Sequence, residues 1–383
     1  MGRRSRACLW VASLLLAAGG ARAQLFTGLG TLQGTSSSSA FGVSADGSVV
    51  VGESGTPEAA GLIVELGLPF RWTQSGGMQG LGLVAGAISS TCRAVSGDGA
   101  TIVGGMIGAT YLAYRWNNGF ETLGALGPDG TSEAFGVSHD GSVVVGMSSV
   151  VGNIAFRWTE SGGMQSIGVL PGGAFSTAQG VSEDGEVVVG YGDSTETTSE
   201  PYLGKDQAFR WTAGGGMIGL GDLPGGAFNS RAFGVSSDGQ VAVGESDSAA
   251  GTDAIRYTEA GGIESLGDFD GTAHAASADG SVIVGEGYFG NPPHLNEAFV
   301  WDATHGVRRL ATVLTDDLHL SLSTWYLGPA QAVSADGNTI VGWGVDPAGN
   351  TEAWLARLPE PDAPLLQGAA LLALAALAGR RAR

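Results

Sequence analysis

The segment AFGVSADGSVVVG, Ala40–Gly52, decides the fold because the chain carries seven copies of it, with some drift. The shared kernel is A-x-x-V-S-x-D-G-x-x-x-V-G, and the aspartate of its Asp-Gly pair marks each copy. These aspartates are Asp46, Asp98, Asp140, Asp184, Asp238, Asp279 and Asp336. Their spacings of 52, 42, 44, 54, 41 and 57 residues lie in the range typical of propellers and solenoids. The kernel therefore indicates one supersecondary unit that recurs along the chain.

The first unit predicts two hairpins and therefore four strands. Phe41–Ser44 and Val49–Gly52 flank Asp46-Gly47, and Phe70–Thr73 and Met78–Gly82 flank a Gly-Gly pair. Glycine accepts positive φ and aspartate bonds its own backbone, so both pairs favour tight turns. We interpret all seven kernel aspartates as structural turn residues.

Two hairpins per unit predict an all-β fold, a seven-bladed β-propeller of four-stranded blades. The seventh unit ends at Ala353–Ala356 without a fourth strand, whereas Leu25–Leu32 is an extra strand at the start. We expect this N-terminal strand to close the last blade, because exposed sheet edges favour aggregation. An open β-solenoid is the alternative, although its repeats are usually about 20–30 residues long.

Both ends of the chain predict processing. A basic start, an apolar run and Ala21-Arg22-Ala23 indicate a secretory signal peptide that signal peptidase removes before Gln24. At the other end, Pro359, Glu360 and Pro361 precede the apolar segment Ala363–Gly379 and a basic tail. That segment is just long enough to span a bilayer, with the arginines on the cytoplasmic side, so we expect transient contact with a membrane. The predicted domains are residues 1–23 (signal peptide), 24–358 (propeller) and 359–383 (sorting signal).

The part between the signals is strongly acidic. It keeps 11 of the 18 Lys and Arg, and with all 37 Asp and Glu counted its net charge is −26. A charge of this sign repels phosphate backbones, so we expect no nucleic acid partner. After removal of the signal peptide only Cys92 remains, so no internal disulfide forms. We expect a monomer.

A family resemblance follows from the repeat. Leu220–Gly244 contains L-G-D-L-P-G-G and then A-F-G-V-S-x-D-G-x-V-A-V-G. This resembles the HAF-type probable extracellular repeat, and the copies cover about Leu25–Arg357. The tail Leu358–Arg383 is similar to a PEP-CTERM sorting signal. The resemblance implies recognition by an exosortase-like enzyme, removal of the tail, and export toward the exopolysaccharide matrix of a Gram-negative envelope.

The sequence predicts no cofactor and no metal site. Each kernel aspartate offers one carboxylate before glycine, whereas calcium needs about six to eight converging oxygens. Glu53, Asp193 or Asp270 would be the loop residues of any weak calcium site. The five histidines lack the spacing of zinc ligands.

The long loops are the predicted functional surface, because loops on a rigid scaffold usually carry binding. They are Glu53–Pro69, Tyr191–Gln207, Glu286–Glu297 and the connector Ala311–Pro329. The main interpretation is an exported, non-catalytic scaffold or binding protein of the cell envelope or matrix, with exopolysaccharide as candidate ligand. Its stacking residues would be Tyr202, Tyr288, Phe289, Trp325 and Tyr326.

Two alternatives stay open. One is a secreted polysaccharide-active enzyme, a glycosidase or lyase, that uses loop carboxylates such as Asp316 and Asp317. The other is a calcium-stabilised adhesin.

Overall fold

The computed structural model describes residues 25–55, 67–84, 86–149, 152–195, 206–290 and 295–359. The predicted signal peptide, residues 1–23, and the sorting signal beyond Pro359 lie outside these residues. In the part of the chain that is described, no helix is long and apolar enough to cross a membrane.

The kernels and the strands that follow them form antiparallel sheets in which most strands pair with their neighbours in sequence. β-branched residues and alternating burial favour strands over helices here. Four sheets have four strands each, and three of these consist of strands that are consecutive in sequence. The first contains β2 (Ser37–Val43), β3 (Val49–Gly55), β4 (Gly67–Thr73) and β5 (Gly77–Gly80). The third contains β11 (Thr131–Val137), β12 (Val143–Ser149), β13 (Asn153–Thr159) and β14 (Gly163–Gly168). The fourth contains β15 (Ser176–Val181), β16 (Val187–Gly192), β17 (Gln207–Thr212) and β18 (Gly216–Gly219).

The last sheet joins the two ends of the described chain. It contains β1 (Phe26–Gly28), β26 (Tyr326–Val333), β27 (Thr339–Val345) and β28 (Thr351–Arg357). Phe26 pairs with Ala356, and Gly28 pairs with Trp354. The N-terminal strand thus supplies the fourth strand of the sheet that begins with the seventh kernel.

Two sheets do not have four strands. The prediction that every unit forms a four-stranded sheet is therefore wrong for these two. The second sheet has five, because its kernel strand is divided in two. Its strands are β6 (Ser89–Ser90), β7 (Ala94–Val95), β8 (Ile102–Ile107), β9 (Tyr111–Trp116) and β10 (Phe120–Gly124).

The fifth sheet has seven strands, because β22 runs from one unit into the next. Its strands are β19 (Gly225–Val235), β20 (Val241–Ser248), β21 (Thr252–Thr258), β22 (Gly262–Ala276), β23 (Val282–Gly287), β24 (Glu297–Asp302) and β25 (Gly306–Arg309). The connection Gly267–Gly271 lacks the Leu-Pro-Gly-Gly sequence that interrupts two other connections, so the strand continues. A short helical segment, Leu310–Thr312 and Val313–Asp317, follows β25.

Every kernel contains the same hydrogen-bonded turn at its centre. In the first, Ser44 Oγ donates to Asp46 Oδ1 (2.7 Å), which also accepts the Ser48 N–H (2.9 Å), and the Val49 N–H donates to Ser44 Oγ (3.0 Å). Gly47 has a φ of 68°, a conformation that favours glycine. The other six kernels repeat all three bonds. The structure therefore places all seven kernel aspartates in turns.

Backbone hydrogen bonds link each kernel turn to the next. The Ala45 N–H donates to Gly97 O (2.9 Å), and the Asp98 N–H donates to His139 O (3.0 Å). The same link continues through the later kernels, and the Ala335 N–H finally donates to Ala45 O (3.0 Å). Because the links return to the first kernel, the ends of the inner strands are held close together.

Neighbouring units pack against each other through one large side chain on the third strand of each unit. These fully buried residues are Phe70, Tyr114, Phe156, Phe209, Ile255, Phe299 and Trp354. A buried serine adds a polar link, since Ser132 Oγ donates to Gly124 O (2.5 Å) and accepts the Ala113 N–H (2.9 Å). Ser38, Ser176 and Ser230 make the same two bonds. Fully paired buried hydroxyls of this kind fix the distance between sheets.

The first prediction concerns the kernel turn. Asp140→Ala removes the acceptor of the Ser138 hydroxyl and the Ser142 N–H, so we expect the free energy of unfolding to fall by about 1 kcal/mol. Asp140→Asn keeps an acceptor oxygen and should cost clearly less. Urea denaturation measures both. Equal values for the two variants would show that the turn bonds do not stabilise the fold.

The second prediction concerns pH. The pKa values of Asp46 and Asp140 in the folded protein are lowered below 3.8 mainly by hydrogen bonds from nearby serines, Ser44 and Ser142 respectively. The pKa values of Asp184, Asp279 and Asp336 are lowered too. A carboxyl with a lowered folded-state pKa stabilises fully above its unfolded pKa and loses that stabilisation as pH falls through the folded value.

We therefore expect the Tm to begin falling at about pH 4 and to continue falling below it. Replacing three of these aspartates with asparagine should flatten that decline, because asparagine does not titrate. If the Tm of the variant falls with pH as steeply as that of the wild type, groups other than these aspartates cause the acid sensitivity.

Candidate functional site

The first strand of each kernel, which we call the inner strand, contains a β-bulge. The bulge leaves one residue of that strand out of the regular ladder of paired residues. In the first kernel, Ala40 pairs with Gly52 but Gly42 pairs with Val51, which leaves Phe41 as the extra residue. The same shift isolates Phe135, Gln179, Phe233, His274 and Gln331. In the second kernel the register changes between Ser90 and Ala94, where Arg93 takes the corresponding place. Bulges commonly redirect side chains next to active sites.

These seven bulged residues line one cavity of about 440 Å³, together with Glu133 and Tyr191. We call it the mouth cavity. A second cavity lies further along the same strands, lined by residues two and four positions beyond the bulge, such as Val43 and Ala45. His139 Nδ1 and Glu183 Oε1 are 2.9 Å apart there. The seven inner strands thus surround a channel whose upper layer is chemically varied.

Arg93 supplies a cation to the mouth cavity. Its Nε lies 2.9 Å from Glu133 Oε1, and its guanidinium carbon lies 5.6 Å from the centre of the Phe41 ring. Burial lowers the pKa of Arg93, but Glu133 outweighs burial and the net pKa is raised. The Glu133 side chain is only 8% exposed, so this carboxylate is desolvated and firmly paired.

A second cation, Arg231, lies beside Tyr191. Its Nε is 2.5 Å from Asp206 Oδ2, its Nη1 is 3.3 Å from Glu245 Oε1, and its guanidinium carbon is 5.3 Å from the Tyr191 ring centre. Thr272 Oγ1 donates to Glu245 (2.7 Å). Burial raises the pKa of Tyr191 more than Arg231 lowers it, so this phenol keeps its proton at neutral pH.

His274 is the imidazole of the mouth cavity. Its Nε2 is buried without a hydrogen bond and lies 3.6 Å from Glu286 Oε1. Burial raises the pKa of Glu286, but His274 outweighs burial and the net pKa is lowered, so Glu286 stays ionised. A carboxylate facing one ring nitrogen favours the proton on that nitrogen. The other nitrogen, Nδ1, is then left as an acceptor.

Of the predicted stacking residues, Tyr326 lies nearest to this pair. Its hydroxyl donates to the backbone oxygen of Asn296, and burial, with Glu297 and Glu286 close by, raises its pKa to about 12. Tyr202 lies outside the described residues.

The other predicted stacking residues lie in two separate places. Phe289 stacks on Phe269 with ring centres 5.5 Å apart, in an outer groove that Tyr288 also lines. Trp325 meets Phe26 edge to face at 5.3 Å, against the N-terminal strand. The structure therefore does not bring the four described aromatics to one surface.

The predicted loop carboxylates also lie away from the mouth cavity. Asp317 pairs with Arg308 at 2.8 Å, and Asp316 accepts a hydrogen bond from Thr315. Asp193 Oδ1 accepts two backbone N–H groups of the neighbouring connector. Within the described ranges no group of three or more His, Cys, Asp or Glu converges on a point where a metal would bind.

The sequence carries a signal for the mouth cavity that the loop argument missed. The first x of A-x-x-V-S varies between kernels, as Phe, Arg, Gln or His, while its flanking residues recur. That position is the bulged one. Variation inside a repeated frame therefore marked Arg93 and His274, whereas loop length did not.

The comparisons with known proteins give no match to a family model or to a curated protein. Solved structures do match. The oligogalacturonate lyase from Vibrio parahaemolyticus is 12% identical, with a TM-score of 0.59, covering 89% of this chain and 95% of that one. An oligogalacturonate lyase in complex with manganese is 12% identical, with a TM-score of 0.54, covering 88% and 93%. The β-propeller domain of the Trilobed protease from Pyrococcus furiosus is 10% identical, with a TM-score of 0.52, covering 87% and 98%.

At this level of identity the likeness shows the fold, which is all-β and of the β-propeller type. It also corrects the main functional prediction of a non-catalytic scaffold or binding protein, because two of these neighbours are lyases whose chains are covered almost completely. The prediction relied on loop aromatics and on the lack of a catalytic motif. A site assembled from single residues of distant kernels leaves no linear motif.

Manganese is bound in one of these neighbours. In this chain the carboxylates beside the mouth cavity already face other side chains, Glu133 against the guanidinium of Arg93 and Glu286 against the imidazole of His274. With no convergent set of three ligands among the described residues, the residues present do not fit such an ion.

The third prediction tests the Arg231 cluster. Asp206 is 5% exposed, so Asp206→Asn should lower the free energy of unfolding by about 2 kcal/mol, less than the loss from a fully buried pair because Arg231 is partly exposed. The exposed Arg256–Glu264 pair, at 2.8 Å, gives the control, since Glu264→Gln should cost under about 1 kcal/mol. Urea denaturation that finds equal costs would contradict a desolvated role for Asp206.

Proposed function

We propose that this protein is a polysaccharide-active enzyme, a lyase that cleaves uronate-containing oligosaccharides by β-elimination in the mouth cavity. The observation that carries the proposal is the convergence on one cavity of Arg93 and His274, placed there by bulges in separate kernels, and of Tyr191 from a neighbouring strand. The fold shared with oligogalacturonate lyases supports it.

The reaction needs three groups. A base takes the proton from C5 of the uronate, the electron pair forms the C4=C5 double bond, and the C4–O bond breaks. The departing oxygen gains a proton. Negative charge develops on the carboxylate attached to C5, so a cation placed there lowers the barrier.

His274 is the base in this proposal. Glu286 faces Nε2 at 3.6 Å, holds the ring in one tautomer and stabilises the imidazolium that forms. Nδ1 takes the C5 proton. Tyr191, whose raised pKa keeps its phenol protonated, lines the same cavity and donates a proton to the departing oxygen.

The carboxylates of the site favour elimination over hydrolysis. A glycosidase needs two free carboxyl groups across the cleft, one of which has a raised pKa. Here Glu133 is paired with Arg93, and the pKa of Glu286 is lowered. Neither carboxyl is suited to act as a general acid.

The architecture that supports this site is, in our proposal, a seven-bladed propeller. Each kernel begins one blade, β22 belongs to two blades, and β1 completes the last blade beside β28. The backbone links that return from Ala335 to Ala45 support this arrangement. We also propose export, with removal of residues 1–23 and exosortase-like processing of the tail that begins at Pro359, on the sequence features of the two ends.

The fourth prediction tests the reaction. With galacturonate oligomers the wild type should release an unsaturated product, seen as new ultraviolet absorbance, and His274→Gln should slow this by about 100-fold or more. His305, which pairs with Asp302 at 2.9 Å and is 54% exposed, gives the control His305→Gln, which should retain full activity. A folded wild type that yields no unsaturated product from galacturonate, mannuronate or glucuronate oligomers would refute the proposal.

A further inference from the structure

We infer that Arg93 is the receptor for the substrate carboxylate and that Glu133 is its positioning residue. This inference rests on the proposed function, because it assumes a uronate substrate in the mouth cavity. It identifies Arg93 as the residue that selects acidic sugars, and it explains how Arg93 is oriented before the substrate binds.

The free donors of Arg93 carry the argument. Its Nε is bound to Glu133, whereas within the described residues neither terminal nitrogen has a hydrogen-bond partner, and the side chain lines the mouth cavity. Two parallel N–H groups of a guanidinium match the two oxygens of a carboxylate. The side chain is 35% exposed, so these donors are accessible.

Glu133 is held by two residues, Thr91 and Tyr111, that are not part of the described lining of the mouth cavity. Thr91 Oγ1 donates to its Oε1 (3.2 Å), and Tyr111, whose pKa burial raises with Glu133 adding to the effect, lies against it. A carboxylate fixed in this way orients the guanidinium before any ligand arrives.

One glycine makes room for this cluster. A Cβ added to Gly105 would lie 2.5 Å from the Tyr111 hydroxyl and 3.2 Å from Glu133 Cγ. Gly105 directly follows the Val-Gly pair that ends its kernel. At the equivalent position the other six units carry a side chain: Glu53, Met147, Tyr191, Glu245, Glu286 or Trp343. The second unit alone has lost the side chain where the Arg93–Glu133 pair needs space.

Arg231 does not compete for this role. Its Nε and Nη1 are both taken by carboxylates, Asp206 and Glu245, and the described lining of the mouth cavity includes Arg93 but not Arg231. The charge that meets a uronate in the cavity is therefore that of Arg93.

The fifth prediction measures charge selection by calorimetry, using trigalacturonate and its methyl ester, which has no negative charge. Wild type treated with EDTA should bind the free acid at least about 10-fold more tightly than the ester, because a bidentate charge-assisted pair is lost with the ester. Arg93→Gln should bind both equally. Arg93→Lys should recover part of the preference, and Glu133→Gln should reduce it while retaining binding of the ester. The control Arg256→Gln should keep the full preference.

The two proposals fail in different ways. Acid preference that needs Arg93, in a protein that forms no unsaturated product, would support the receptor and refute the lyase. Elimination that EDTA abolishes and Mn²⁺ restores would refute the receptor and leave the lyase standing. An unchanged acid preference in a folded Arg93→Gln, checked by its Tm, would also overturn the receptor.

Discussion

The bonds between consecutive kernel turns set the geometry on which the rest of this structure depends. Ala45 donates to Gly97, and the chain of such bonds returns through Ala335 to Ala45. These bonds fix how closely the inner strands approach at one end, while the buried serines fix the distance between sheets further out. The turn of Ser44 and Asp46 keeps each donor in place. With both distances set, the side chain at each bulge varies from kernel to kernel, as does the residue before each kernel aspartate further along the channel, such as Ala45 or His139.

The bulge separates stability from chemistry. Residues on either side of it pair with the second strand and recur from unit to unit, so they are bound to the fold. The bulged residue has no opposite residue of its own on the second strand, so its side chain can change without altering the pairing of the sheet. Arg93 and His274 use this freedom, and each faces a carboxylate of its own, the buried Glu133 and the half-buried Glu286. Two residues of this acidic chain thus have local roles: Glu133 holds the guanidinium of Arg93, and Glu286 orients the imidazole of His274.

Much of the fold follows from the sequence, because repeated turns and alternating strands are local signals. The Asp-Gly turns and the pairing of the N-terminal strand with the last sheet are of this kind. The continuous strand Gly262–Ala276 forms because this unit lacks the Leu-Pro-Gly-Gly connector. A consensus of the repeats does not show that one unit lacks it. The site was harder to predict, since Arg93 belongs to the second kernel and His274 to the sixth, and the two residues share a cavity only in the folded chain. Loop length favoured Tyr288, Phe289 and Trp325, which lie on other surfaces.

A crystal structure of the EDTA-treated protein with a saturated galacturonate oligomer tests the central claim most directly. The account predicts the sugar in the mouth cavity, with its carboxylate oxygens about 2.7–2.9 Å from the terminal nitrogens of Arg93 and its C5 facing His274 Nδ1. An oligomer bound instead in the outer groove of Phe269 and Phe289, with the mouth cavity unchanged, would contradict the account.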